Sequence, residues 1–344
     1  MRVVTSEQIR DKREIDRYVE KAETSTLYHR TGWTLVLEKS FGHKTIHLLC
    51  VDRDETIRGV LPLVHMKSRI FGNFLISMPF FNYGGACADT EEIQGLLIEE
   101  AVRIAKDTNV SHIELRHESP LQNGFPSRTS KVSMRLDLPS STEDLMRSFP
   151  SKLRSQVRKP QKEGLTTRIG RFEELDGFHY IFSVNMRKLG TPVLPKGFFR
   201  DILVQFPDES WICSVYLDSV PVASGFLVAF KNRMEIPWAS SLSDFNRYSP
   251  NMLLYWSCLE FACRSGFKVF DFGRSTAGGK TYKFKEQWGA RPVQLHWHYW
   301  LRDGGDIPDL TPGNPKYRLA IALWKRLPLY VTKIIGPRVI RNIP

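Results

Sequence analysis

No stretch of the chain holds the roughly 18 to 20 uninterrupted apolar residues of a membrane-crossing helix. Its opening, MRVVTSEQIRDKREIDRYVE, is charged where a signal peptide needs an apolar core. Both absences lead us to expect a cytoplasmic protein. Cysteine is scarce: Cys50, Cys87, Cys213, Cys258 and Cys263 are odd in number, scattered and without a C-x-x-C pair. This argues against a disulfide framework or a thiolate metal site and leaves buried reduced thiols. Acidic residues are the minority charge, 37 Asp plus Glu against 49 Lys plus Arg, a formal +12 at pH 7. Long-range electrostatics therefore favour an anionic partner: nucleic acid, a phosphorylated small molecule or an anionic lipid surface. Low-complexity tracts and collagen or coiled-coil periods are missing too, and 344 residues suffice for about two domains.

What is present is a duplication. Residues 45–65, TIHLLCVDRDETIRGVLPLVH, read as strand, charged turn, strand, and residues 211–230, WICSVYLDSVPVASGFLVAF, repeat that pattern. Each hairpin is followed by a third apolar segment, FLISMPFFNYGG at 74–85 and MEIPWASS at 234–241. A helix follows in each half, then a buried strand, VSHIELR at 110–116 and FKVFDFGR at 267–274. Helical spacing of apolar residues places the first helix from Thr90 to Lys106, with Asp89 or Thr90 as cap. The second helix is expected from Pro250 to Arg264, with Ser249 as N-cap, Pro250 at the first helical position and Gly266 as the stop. Strand, strand, strand, helix, strand, twice over, describes two copies of one mixed α/β unit. That element order resembles the acyltransferase core known as the GNAT fold. The expected division is a first GNAT-like domain at 1–135, a second carrying the catalytic loop at 136–300, and a basic amphipathic tail at 301–344. The tail is expected to pack on the first domain or to lie on a membrane surface.

Between the copies lies SKLRSQVRKPQKEGL, residues 151–165, a basic segment whose Arg154, Arg158 and Lys162 share a helical face, with Pro160 set to break or kink the helix. Its Lys162-Glu163-Gly164-Leu165 turn resembles the signature of the FemAB family. So does DFGRSTAGGKTYKFKEQWGA, residues 271–290, as a strand, a glycine-containing loop and an F-K helix start. With LPLVHMKSRIFGNFLISMPFFNYGG, NMRKLGTPVLPKGFF and NMLLYWSCLEFA, the chain is similar above all to FemAB-like proteins that accompany exosortase and exopolysaccharide systems. The long helical hairpin that some members insert in the second domain has no room between Pro195 and Trp211.

The resemblance implies an aminoacyl or acyl transferase that forms an amide on a cell-envelope precursor, of peptidoglycan or exopolysaccharide. Its donor would be aminoacyl-tRNA or acyl-CoA as co-substrate, with no tightly bound cofactor. Such chemistry passes through a tetrahedral oxyanion that needs a fixed positive charge or backbone donors. Lys285 stands at the family's F-K position and is the expected oxyanion stabiliser, Phe284 shapes the acyl pocket, and Asp271 orients Lys283 or accepts a proton from the attacking amine. Arg187 in NMRKLGTP and Trp33 in HRTGWTLV match family positions associated with the phosphates and the nucleotide of a nucleotide-sugar precursor. Arg158, Lys159 and Lys162 are expected to hold a tRNA acceptor end or a pyrophosphate, with Arg274 and Tyr282 as further substrate-binding residues.

Other patterns carry less. His296 and His298 share a strand face, but no third ligand sits nearby in sequence, so no metal is expected. GGKT at 278–281 lacks the upstream glycines of a P-loop. The nearest match to a pyrophosphate loop opening a helix, Arg69 to Phe74, leads into a strand. The tail from Lys316 to Pro344 holds seven basic residues and no acidic ones, interleaved with apolar side chains. Three alternatives to the transferase stay open on the sequence: a non-catalytic membrane-surface adaptor of a polysaccharide assembly system, an acyl-CoA-dependent GNAT N-acyltransferase, and a nonspecific nucleic-acid binder.

Overall fold

The computed structural model describes residues 1–122, 124–308 and 315–344. The chain divides into two compact units, one formed by residues 1–131, 294–314 and 341–344 and the other by residues 132–293 and 315–340. Among the described residues, no helix is long and apolar enough to cross a membrane.

Unit 1 begins with β1 (Arg2–Thr5), α1 (Arg13–Lys21) and α2 (Gly32–Phe41). The duplicated unit follows: β2 (Lys44–Val51), β3 (Ile57–Ser68), β4 (Gly72–Ile76), the short β5 (Cys87–Ala88), α3 (Glu91–Asp107) and β6 (His112–His117). β7 (Ser127–Arg128) comes next in sequence. In unit 2 come β8 (Val132–Asp137), α4 (Thr142–Ser148), α5 (Ser151–Lys162), β9 (Leu165–Gly170), α6 (Leu175–Leu189) and α7 (Lys196–Gln205). They are followed by the second copy, β10 (Ser210–Leu217), β11 (Val220–Phe230), β12 (Arg233–Ser241), α8 (Pro250–Arg264) and β13 (Val269–Ser275), and then α9 (Lys280–Glu286) and β14 (Arg291–Gln294). β15 (His296–Leu301) returns to unit 1, and α10 (Arg318–Arg326) and α11 (Leu329–Ile340) to unit 2.

The first sheet runs β1-β2-β3-β4-β6-β15-β7, with β5 on β3, and the second runs β14-β8-β13-β12-β11-β10-β9. In each, a meander of antiparallel strands ends on a parallel neighbour reached through a helix. β4 pairs β6 in parallel at Leu75–Ile113 and Ile76–Glu114, and β12 pairs β13 from Arg233–Val269 to Glu235–Asp271. Apolar faces close the two cores: Leu48, Leu61, Leu75, Leu97, Ile113 and Leu115 in unit 1, and Val215, Leu227, Met234, Leu254, Phe270 and Trp288 in unit 2. The duplicated element order expected from the sequence is the one observed, and the fold is mixed α/β with two GNAT-like units.

Local signals behave unevenly. Thr90 caps α3, its hydroxyl accepting from the Ile93 N–H at 3.3 Å. Gly266, at φ +81°, ends α8 as expected, where the Phe267 N–H reaches the Ala262 carbonyl. Ser249 precedes α8 but does not cap it by its side chain: its backbone is left-handed, at φ +56°, and not extended as at a side-chain N-cap. Pro160 does not break α5, which runs on to Lys162. The proline lies in the last turn, with its ring buried, and removes a single amide there.

Two boundaries also differ from the sequence reading. β8 begins at Val132 and pairs with β13, so the second unit starts before residue 136. β15 pairs with β6 and β7, so residues from 294 belong to the first unit and not to the second. In the expected tail, 309–314 lie outside the described residues. Its two helices belong to unit 2, where they pack on α6. The reason is a tight fit through bare glycines on both sides: Gly190 of unit 2 lies under Ile321 and Lys325 of the tail, and Gly336 of the tail lies against Val193.

Candidate active site in the second unit

The site is built on an irregularity in β13. Opposite β8, Asp271 faces Arg135 while Arg274 faces Ser133, so β13 holds one more residue than its partner between these points. Gly273, at φ +74°, takes the left-handed conformation that such a bulge requires. The bulge turns two successive carbonyls, of Gly273 and Arg274, toward α9. The Lys285 ammonium donates to both at 2.9 Å. An ammonium has three donors, so one N–H remains beyond these two bonds. Lys285 is only 7 % exposed. Burial pushes its pKa down from 10.5 to about 8, opposed by the nearby carboxylates of Asp271 and Glu235 and assisted by Arg274.

Asp271 is fully buried and holds the bulge from beneath. It accepts from Ser133 Oγ at 2.5 Å, from Arg135 Nε at 3.2 Å and from the Gly273 N–H at 2.8 Å. Its oxygens are thus turned to the bulge and to β8, and Lys283 is an exposed residue of α9. Asp271 therefore acts on Lys285 through the field of its charge and through Gly273. The expected orientation of Lys283 gives way to this arrangement.

β12 and β13 stop pairing just after Glu235–Asp271. β12 carries its own extra residue near Ile236–Pro237 relative to β11. The two parallel strands therefore part beside the bulge. Phe284 packs on Tyr255 at 5.0 Å and on Trp288 at 6.4 Å, with Tyr255 stacked on Phe272. Tyr282 is half-buried against the same core, and the Arg274 side chain is exposed while its carbonyl holds Lys285.

At the corresponding place in unit 1 an arginine takes up the space beyond the last parallel pair. Past Ile76–Glu114, the buried Arg116 pairs with Glu114 at 2.7 Å and donates to the carbonyls of Met78 and Phe81. The Gly85 N–H returns to the Arg116 carbonyl at 2.8 Å. Arg116 also lines a cavity of about 560 Å³, together with His29, Gly84, Gln94, His117 and Glu118. Burial pushes His117 down to about 3, and the neighbouring His298 and His29 add to this. His117 Nε2 accepts the Ala86 N–H at 2.9 Å.

The remaining sequence candidates fall elsewhere. Trp33 is a core residue of unit 1, packed on Tyr28 at 5.4 Å and Phe81 at 4.5 Å, so it offers no face to a nucleotide. Arg187, in the last turn of α6, donates to the Leu327 carbonyl that ends α10, at 3.1 Å, so it caps the tail and is not an open anion site. Arg158, Lys159 and Lys162 are exposed on α5, and Lys159 donates to the Arg247 carbonyl in the loop that leads into α8. Arg69 to Phe74 form a hairpin turn and the start of β4, not a helix entry. His298 accepts the Leu121 N–H at 3.0 Å. Among the described residues, no group of three or more His, Cys, Asp or Glu is placed to hold a metal. Sequence reasoning missed Ser133, Arg135 and Glu235. The one readable sign was a glycine inside a strand, which marks a bulge.

Residues 147–286 match a family model described as an acetyltransferase (GNAT) domain. Among solved structures, the chain is similar to a crystal structure of FemX, at 15% identity and a TM-score of 0.68, over 93% of this chain and 100% of that one. It is similar to the C-terminal domain (DUF2156) of a putative lysylphosphatidylglycerol synthetase from Agrobacterium fabrum, at 13% identity and a TM-score of 0.55, over 83% and 91%. It also resembles a tandem GNAT protein from the clavulanic acid biosynthesis pathway, at 10% identity and a TM-score of 0.50, over 89% and 99%. No curated protein matches the chain in sequence. Residues 147–286 thus match an acetyltransferase (GNAT) domain across most of the second unit, and the whole chain has the fold of FemX, built from two GNAT-like units in tandem.

Proposed function

We propose that the chain forms an amide by moving an aminoacyl or acyl group from an activated ester or thioester to an amine on a cell-envelope precursor. The donor is aminoacyl-tRNA or acyl-CoA, which share an activated carbonyl, and the acceptor is a peptidoglycan or exopolysaccharide precursor of net negative charge. The amine attacks that carbonyl, an oxyanion develops, the C–O or C–S bond to the donor then breaks, and the proton lost from the nitrogen is balanced by the one taken up by the departing ribose hydroxyl or thiol. A buried ammonium suits the oxyanion because low surrounding dielectric strengthens its field at the moment charge appears. The observation that carries this reading is Lys285, buried on the two bulge carbonyls where β12 and β13 part. Ser133 and Asp271 hold the bulge, and Phe284 walls the acyl side.

The likeness to a putative lysylphosphatidylglycerol synthetase supports an envelope component as acceptor, and the net charge of +12 supports an anionic one. The test incubates the purified protein with acetyl-CoA, with longer acyl-CoA or with charged tRNA, each with envelope precursors, and follows amide formation by mass spectrometry. Transfer from one donor class names the donor. Equal transfer by the wild type and Lys285→Met would remove Lys285 from the mechanism, and no transfer from any donor would count against the reaction itself.

A further inference from the structure

We infer that the outer face of α10 and α11 docks on an anionic lipid bilayer. Both helices are built inside out. In α11 the buried residues are Thr332, Gly336 and Ile340, four apart, whereas Tyr330, Ile334 and Arg338 form a second four-residue row displaced by two positions. Two residues correspond to about 200° around a helix, so that second row lies opposite the packed one. α10 repeats the arrangement. Ile321 and Lys325 lie over Gly190, and Leu319 and Leu323, again displaced by two, face outward.

A helix resting on a protein core normally turns polar residues outward. Here Leu319 is 73 % exposed, Tyr330 68 % and Ile334 61 %, with Leu323 and Ile335 also exposed. The cations Arg318, Lys325, Arg326, Lys333 and Arg338 are exposed among them, and the sequence from 316 to 344 has no acid. Apolar side chains able to enter the acyl boundary, set among cations on a segment that has no carboxylate of its own, match an anionic membrane surface in both chemistry and sign. Of these exposed apolar side chains only Tyr330 carries a ring, while Leu319, Leu323, Ile334 and Ile335 are aliphatic and offer a nucleic acid no stacking platform, which favours lipid over RNA as the occupant.

The test is flotation of the full-length protein with vesicles of phosphatidylcholine alone or with 30 % phosphatidylglycerol, at 0.1 and 0.5 M salt, beside a gel shift with unfractionated tRNA. Two double variants on exposed positions, Leu323→Glu with Ile334→Glu and Lys333→Glu with Arg338→Glu, are compared, and matched melting curves verify that they fold. The expected result is binding to the anionic vesicles, weaker by about tenfold or more on neutral vesicles, in high salt and in either double variant. No flotation of the wild type on anionic vesicles would overturn the inference. So would flotation of the apolar double variant equal to wild type, or a tRNA shift lost in the charge variant while vesicle binding stays unchanged.

Discussion

At the scale of single residues, the buried ammonium of Lys285 sets two opposite dependences on pH. Folded, it titrates near 8, and unfolded near 10.5. Between these values the unfolded chain binds more protons, so stability rises as pH climbs through that window. Below it the buried charge costs the fold about 3 kcal/mol. Urea unfolding of the wild type should therefore gain stability between pH 8 and 10.5 relative to Lys285→Met, which lacks the slope. Activity should move the other way, falling above about pH 8 as the ammonium loses its proton, and Lys285→Met should lose about 10² to 10³ in kcat. Asp271 raises the Lys285 pKa, so Asp271→Asn should shift the alkaline fall of the rate to lower pH, a displacement that simple loosening of the fold would not produce. Because Asp271 is buried and paired with Arg135, truncation to Ala should destabilise by about 3 to 5 kcal/mol in the same urea experiment.

At the scale of elements, the irregularities of β12 and β13 separate the two copies of the repeat. In unit 1 the end of the parallel pair β4–β6 is held by Arg116, whose guanidinium binds Glu114 and two loop carbonyls. In unit 2 the corresponding pair β12–β13 parts beside carbonyls that hold a lysine from α9. Gly273→Ala places an L-residue at φ +74°, which costs about 1 to 3 kcal/mol and turns the carbonyls that seat Lys285. The expected signature is a kcat loss larger than the change in stability explains, measured by steady-state kinetics beside thermal melts. The end of α6 supplies a separate test. Gly190 lies at φ +81°, and an added Cβ would stand 2.5 Å from Ile321 Cγ2 and 3.3 Å from the Ile321 carbonyl oxygen. Gly190→Ala should loosen α10, seen as faster proteolysis within 315–328, while amide exchange in β10 to β12 stays protected.

At the scale of the whole molecule, the order of the chain and the membership of its strands disagree. A fragment starting at residue 136 would lack four of the six residues of β8, leaving the β13 edge unpaired from Asp271 on and Asp271 without Ser133 and Arg135. We expect that fragment to aggregate, because an open strand edge recruits other chains. A fragment starting at Val132 should be the more soluble on gel filtration. The net charge of +12 acts over the same scale. With an anionic acceptor, KM should rise with ionic strength from 0.05 to 0.3 M while kcat changes little, since screening weakens encounter more than the buried chemistry.

The sequence by itself determined the repeat. Alternation in residues 45–65 and 211–230, the turn residues between the strands, and the Thr90 and Gly266 helix ends are local patterns, written in neighbouring side chains and legible without the fold. Lys285 was reachable through the likeness of its F-K segment, although no periodicity marks it. Tertiary structure alone decided which sheet receives β8 and β15, because a period of two declares a strand and says nothing of its partner. It also decided that Arg187 caps the tail helix, that Trp33 is packing, and that Ser133 and Arg135 support Asp271 from 136 to 138 positions away in the chain. Contacts of that separation depend on how sheets close, a property of burial across the whole unit and not of any stretch that can be read in order.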